Sequence, residues 1–200
     1  GLDVLTRIYK SLCEKNLGYY SLIDIENDDL ININGLKDYI YELSKDEDIR
    51  IKGILTIRDN QQHKYTRIYK NTNDIKKLEE LMNHKPILDR VEERRIFYDM
   101  KYWRTNYYMK YLFDHCYSPA YDEILKCKTN DMCNDYLKSL YWCTHYYFKG
   151  CIAWRYSYDY YTAPCFKELY DTIVDMKSIS IDMDNLPYTP VEQLSMVLPI

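Results

Sequence analysis

The chain has 200 residues, 46% of them hydrophobic and 29% charged, enough for one well-packed domain or for two small lobes sharing a core. A formal charge of -4 excludes a protein that holds nucleic acid by a whole-body positive field, so any nucleic-acid contact must be local. No apolar run approaches the ~20 residues that span a bilayer, no signal peptide precedes the first helical pattern, and a start on Gly1 instead of Met points to a fragment or a processed chain. Leu5, Ile8, Tyr9 and Leu12 then recur at helical spacing, which predicts a helix over 2–15 ending near Gly18. The acidic run from Asp24 lacks the glycine and final glutamate of a calcium loop and reads as a turn. After Asn34, the stripe Leu36, Tyr39, Ile40 and Leu43 predicts a second helix, and Asp46, Glu47 and Asp48 beyond it read as its end and a solvated linker.

Residues 49–70 read as two short strands or extended segments, and Asn73 as the cap of a helix over 74–83 that stops before Pro86. A longer helical region is expected over 89–113, with Ile96, Phe97, Met100, Trp103, Tyr107 and Tyr111 on one side. Within 90–110, six basic residues stand against three acids, a candidate phosphate patch or else a solvated helix face. Ser118 and Pro119 open a short helix. From about 131 to 149 the chain is apolar on nearly all faces, which predicts a central helix with Trp142 and Tyr146 almost wholly buried and Gly150 in a left-handed conformation at its end. Near the C-terminus, Thr189, Pro190 and Glu192 form a complete helix-start signal, and Pro199 ends that helix.

The seven cysteines are odd in number and form no CxxC pair, so they read as reduced, buried, small apolar residues. A zinc site would have to recruit His115, Cys116, Cys127, Cys133, Cys143, His145 and Cys151, whose spacings match no common pattern. No residue of the chain reads as a metal ligand.

The stretch "YLKSLYWCTHYYFKGCIAWRYSYDYYTAP", with "LPYTPVEQLSMVLP" after it, resembles the second conserved region of the XRN-type 5′→3′ exoribonucleases. Trp142, Gly150, Pro164, Glu192 and Gln193 fall on landmarks of that motif. The register extends upstream through "NYYMKYLFD", "GLDVLTRIYKSL" and "ININGLKDYIYELSKDED", so the resemblance covers most of residues 1–48 and 96–199 and leaves 49–95 as a variable segment. The chain departs from the motif in three places: Tyr156 replaces a tryptophan, Tyr161 a histidine, and Ser139 a glycine.

The resemblance implies a mainly α fold, a single helical domain over 1–200 that forms the middle region of a larger protein. It also implies degradation of 5′-monophosphorylated single-stranded RNA, with Mg2+ and the catalytic carboxylates supplied by an upstream nuclease domain. No catalytic residue is then expected in this chain, because two-metal hydrolysis needs a carboxylate cluster and Asp182 with Asp184 reads as solvated. Trp154, Arg155, Tyr156, Tyr158, Tyr160 and Tyr161 become the candidate wall of the RNA pocket, their rings offering flat surfaces to unpaired bases. The competing reading is a noncatalytic relative, of viral or protozoan origin, that keeps this wall as an RNA-binding or protein-interaction surface. With no basic localisation run, the cytoplasm is favoured over the nucleus.

Overall fold

The computed structural model describes residues 1–70, 72–96, 101–113, 122–183 and 186–198. Among them the fold is mainly helical, as expected: α1 (Leu2–Lys15), α2 (Ile33–Lys45), α3 (Glu47–Tyr69), α4 (Ile75–Leu88), α5 (Val91–Arg94), α6 (Trp103–Phe113), α7 (Asp122–Phe148), α8 (Phe166–Ile173) and α9 (Pro190–Val197). The chain divides into two units, one of Gly1–Lys45 with Lys126–Ile200 and one of Asp46–Leu125. The helix start expected at Ser118 and the stop at Pro199 lie outside the described residues.

The first unit is built on apolar stripes of i, i+4 spacing. Ile40 of α2, Cys133, Leu137 and Tyr141 of α7, and Leu169 and Ile173 of α8 meet with Ile179 in one buried cluster. Each such side chain contributes ~1.5 to 3 kcal/mol by leaving water. α1 lies against α2, where the Tyr39 hydroxyl donates to the Leu5 carbonyl at 3.0 Å. α2 begins two residues earlier than the sequence reading places it, because the Asn32 side chain accepts the Gly35 N–H at 3.0 Å and caps the first turn. Gly35 is required there: a Cβ would run into the Ser21 carbonyl oxygen. Between α1 and α2 the acidic run is indeed a turn, with Asp24 Oδ1 accepting from Glu26 N and Asn27 Oδ1 from Asp29 N.

The second unit corrects the sequence reading most. Residues expected as strands form α3, and the acids expected in a solvated linker open it. Glu47 is buried and accepts from Arg104 Nη2 at 2.7 Å, while Asp48 takes the same guanidinium at 2.9 Å. From Ile51 onward the partly buried positions of α3 are Ile51, Leu55, Arg58, Gln62, Tyr65 and Tyr69, a heptad-like stripe facing α4. Two of the six are polar, so an apolar periodicity does not reveal it. Polar bonds replace apolar packing. Arg58 Nη2 donates to the Pro86 carbonyl at 3.2 Å and Gln62 Nε2 to the Leu88 carbonyl at 2.7 Å, which satisfies orphan acceptors at the end of α4. Helix α4 runs through Pro86 to Leu88 instead of stopping at 83. At the other end Asp74, and not Asn73, is the cap, accepting from Lys76 N at 3.0 Å.

The helix expected over 89–113 divides into α5 and α6, with residues 97–100 outside the described set. Ile96 and Trp103 are buried as the apolar side predicted, but Tyr108 and Met109 are the other core residues of α6 and Tyr111 faces solvent. The basic patch of 90–110 is also not a free positive surface. Arg90 is buried between Asp59 and Glu93, at 2.5 and 2.6 Å, and Glu93 also takes Arg58 at 2.9 Å. Arg95 and Lys110 both reach Glu92.

Burial works to raise the Glu93 carboxyl above its ordinary value, but the bonds and charges of Arg90 and Arg58 outweigh it and hold the carboxyl below that value. Its contribution to stability is therefore complete above the ordinary carboxylate range and is lost as pH falls through the lowered value. Glu93→Gln should cost roughly 3 kcal/mol at neutral pH, because the Arg90 charge stays buried with less compensation. Urea unfolding of both proteins at pH 7 and near pH 3 checks this: the gap should narrow in acid, and an equal gap at both would refute the assignment.

Candidate nucleic-acid interface

The candidate wall is held by the face of α7 that turns away from the core. Residues two positions apart lie about 200° around a helix, so Asp135, Ser139, Trp142 and Tyr146 form a second stripe nearly opposite Cys133, Leu137 and Tyr141. Helix α7 ends where Lys149 N and Gly150 N both donate to the His145 carbonyl, at 2.7 and 2.8 Å, with Gly150 at φ 110° as its position required. The chain then returns along the second stripe. Trp142 Nε1 donates to the buried Ala153 carbonyl at 2.8 Å, the Tyr156 hydroxyl donates to the Asp135 carbonyl at 2.8 Å, and Asp159 N donates to Asp135 Oδ2 at 3.0 Å.

This path overturns the expectation that Trp142 and Tyr146 are almost wholly buried. The returning segment first touches α7 at Trp142, so Tyr146, one turn closer to the helix end, is left 52% exposed and stacks on the half-buried Trp142 at 5.2 Å and 9°. Tyr147 and Phe148 are exposed beside it. The central helix is buried on its core stripe and open at its C-terminal turn. His145 is its buried polar residue, with its ring 4.3 Å from Tyr141 and its titration pushed down by burial.

The five aromatic residues of the wall separate into two sets. Tyr156, Tyr158 and Tyr160 are partly buried: the Tyr158 hydroxyl donates to the Thr162 carbonyl at 2.7 Å, and its ring meets Tyr136 and Tyr160 at 5.8 and 5.5 Å. Burial, with the charges of Asp135 and Asp159 adding, pushes the Tyr156 phenol up to about 12, so it remains a donor at any physiological pH. Trp154 and Tyr161 are different. Trp154 is 50% exposed and Tyr161 fully so. Arg155 lies over the Tyr188 ring at 4.9 Å. Gln193 Nε2 donates to the Tyr188 carbonyl at 3.0 Å, and Glu192 closes the capping box with Thr189, so α9 starts as its sequence signal required. That box holds the Glu192 carboxyl below its ordinary value. Pro164 is buried ahead of α8.

Two residues the sequence reading did not single out carry this arrangement, Asp135 and Tyr188. The signal for Asp135 is its i, i+4, i+7 spacing to Ser139 and Trp142 on α7. Two departures from the XRN motif also meet: Ser139 Oγ and the Tyr156 hydroxyl are 2.8 Å apart. Among the described residues all six cysteines are free, and Cys127 and Cys143 are exposed, contrary to the expectation of uniformly buried thiols. No group of three His, Cys, Asp or Glu side chains able to hold a metal ion occurs among the described residues, so these donors do not fit a two-cation centre.

Over residues 23–200 the chain matches the family described as the Xrn1 helical domain. It is 29% identical over 145 residues to 5′-3′ exoribonuclease 1 of Saccharomyces cerevisiae, covering 71% of this chain and 8% of that protein. Over 112 residues it is 29% identical to 5′-3′ exoribonuclease 1 of Schizosaccharomyces pombe, covering 54% of this chain and 8% of that protein. Over 109 residues it is 30% identical to 5′-3′ exoribonuclease 2 of Candida albicans, covering 50% of this chain and 10% of that protein. The chain thus spans about a tenth or less of the length of the curated relatives it matches.

The Ser139–Tyr156 bond predicts coupling. Tyr156→Phe and Ser139→Gly should each destabilise the protein by about 1 kcal/mol, and the double variant by less than their sum, because both remove one shared bond. Tyr156→Trp should be tolerated better with Ser139→Gly than alone, since the larger ring needs the space of the serine side chain. Denaturant melts of these variants measure this; strict additivity would show that the two residues do not depend on each other.

Proposed function

The chain belongs to the family of Xrn1 helical domains, and on that premise we propose that it is the helical region of a 5′→3′ exoribonuclease. In this reading the enzyme degrades single-stranded RNA with a 5′ monophosphate, and Trp154–Tyr161 forms one wall of a pocket completed by a nuclease domain of the same protein. The observation that carries the reading is the division of the wall. Tyr156 and Tyr158 have their hydroxyls bonded inward, and the segment they anchor leaves the rings of Trp154 and Tyr161 in solvent. A ring held on an anchored backbone presents a flat face without the entropy loss of ordering a mobile loop.

Stacking of a base on such a face is worth ~1 to 3 kcal/mol and is indifferent to base identity, which suits an enzyme that advances over any sequence. Such a wall also excludes a duplex, because a base already paired and stacked has no free face to offer. The reading assigns Mg2+ and the metal-binding acids to the nuclease domain. This chain's residues orient the strand and narrow its path.

In the protein carrying its nuclease domain, Trp154→Ala should weaken RNA engagement by the value of one stacked base, ~1 to 3 kcal/mol. Trp154→Phe should recover much of that, because a flat face returns. The salt dependence of binding should change little, since phosphate contacts set it. Affinity and melting temperature measured on the same variants decide the matter. A destabilised Trp154→Ala whose folded fraction binds RNA normally would remove Trp154 from the wall.

A further inference from the structure

The turn between α1 and α2 lies against a buried histidine of α7 that has no part in the wall. The Ile23 and Ile31 backbones pair as an isolated antiparallel bridge, and Asp24 N donates to the Leu30 carbonyl at 2.7 Å, so residues 24–30 form a closed loop with its ends together. Leu30 is the inward plug of that loop, 1% exposed, at φ 57°. Ile31 N donates to the Asp29 carbonyl at 2.6 Å, which closes a three-residue turn centred on Leu30. A positive φ is the strained hand of such a turn for a residue with a Cβ. A leucine persists there only because its surroundings impose it.

The C-terminal turn of α7 supplies those surroundings. Lys149 Nζ donates to the Asp28 carbonyl at 3.1 Å and reaches Asp28 Oδ1 at 3.3 Å. His145, one helical turn before Lys149, is 3% exposed. The Asp29 backbone faces its ring without closing a hydrogen bond, and neither ring nitrogen has a partner among the described residues. A neutral imidazole in that place leaves one donor and one acceptor unmet, whereas an imidazolium leaves two donors and a charge unmet. The charges around the ring are divided. Burial opposes the cationic form most and Lys149 adds to it, while Asp28 and Asp29 on the turn favour it, and the net titration lies below the ordinary histidine value. Tyr141, the other titratable group against the ring, meets it at 4.3 Å. Beside the turn a cavity of about 250 Å³, lined by Asp24, Asn27, Asp29, Tyr141 and Lys177 among others, leaves room for displacement.

We infer that residues 24–31 form a proton-operated latch: protonation of His145 frees the turn from α7 and lets Leu30 leave its left-handed conformation, and deprotonation closes the turn again. The open turn gives the ring to water, where it binds the proton that the closed turn resists. Closure is therefore complete above the ordinary histidine value and weakens as pH falls below it. Relief of strain at Leu30 favours opening, and burial of Leu30 with the Lys149 bonds favours closing, so the element has two arrangements that one proton can bias. The His145 carbonyl is also the acceptor for Lys149 N and Gly150 N at the end of α7, which puts the latch at the root of the segment that leads to the wall. The inference needs no RNA and stands whether or not the wall binds it.

The test is amide hydrogen exchange of the protein from about pH 8 to about pH 5, expressed as protection factors so that the intrinsic pH dependence of exchange is removed. Protection at Asp24, Leu30 and Ile31 should fall by up to about tenfold per pH unit below the ordinary histidine value and then level off, the behaviour of a single proton. Protection at Leu169, whose N–H donates to the Cys165 carbonyl in the core of the same unit, should stay constant. His145→Phe keeps a buried ring against Tyr141 and removes the proton, so its turn should stay protected over the whole range. His145→Gln should do the same with a polar side chain. In the parent, the His145 ring followed by NMR should titrate where the loss of protection levels off.

A pH-dependent loss of turn protection that persists in a folded His145→Phe or His145→Gln protein overturns the latch. Protection that rises on acidification also overturns it, since the charged ring would then be tightening on Asp29. A fall shared equally by Leu169 overturns it in favour of global acid unfolding. A His145 ring that titrates at or above the ordinary value overturns it whether or not either variant folds.

Discussion

Helix α7 is occupied on two faces, and the rest of the first unit follows from that. Cys133, Leu137 and Tyr141 bury themselves against α2 and α8, while on the opposite face Asp135, Ser139 and Trp142 receive the chain that returns from Gly150. The first face is held by the hydrophobic effect, which is non-directional and tolerates sliding. The second is held by directed hydrogen bonds, which do not. Register is therefore set on the polar face. A shift of the returning segment by one residue would leave the Ala153 carbonyl and the Tyr156 hydroxyl without their partners while barely changing the apolar area buried.

The second unit reaches order by a different balance. Its α3 stripe substitutes Arg58 and Gln62 for apolar residues at the middle of the helix pair, and α4 ends on carbonyls that those side chains satisfy. Arg90 is buried with Asp59 and Glu93, so the unit carries desolvated charge near its core. Such pairs add little net stability over an apolar filling, but they are costly to break.

Much of this is legible in sequence where one physical signal dominates. The helices α1, α2 and α9, the stop at Gly150, the capping box at Thr189 and the family itself all follow from apolar spacing, a forced left-handed residue or a motif with dense landmarks. Illegible parts have competing signals. Ile49, Ile51, Ile54 and Ile57 are β-branched and suggest strands, yet the residues that hold α3 in place are Arg58, Gln62, Tyr65 and Tyr69, whose partners lie 15 to 35 residues away. Pro86 suggests a helix end, yet α4 continues to Leu88, where side chains of another helix bond its last carbonyls. Trp142 and Tyr146 look buried because an apolar composition cannot say where a covering segment begins.

The abundance of tyrosine over aliphatic residues near the wall has a physical reason in these bonds. An aliphatic segment laid along α7 would bury comparable area, but nothing would fix its height or rotation. Each inward tyrosine adds a hydroxyl that must find an acceptor, and the acceptors at hand, the Asp135 and Thr162 carbonyls, are at defined places. Satisfying them fixes the backbone between, and with it the direction of residues 154 and 161. The outward rings are thus consequences of the inward ones. The Ser139–Tyr156 bond, at two positions where the chain departs from the XRN motif, adds one more directed contact that places this stretch of backbone.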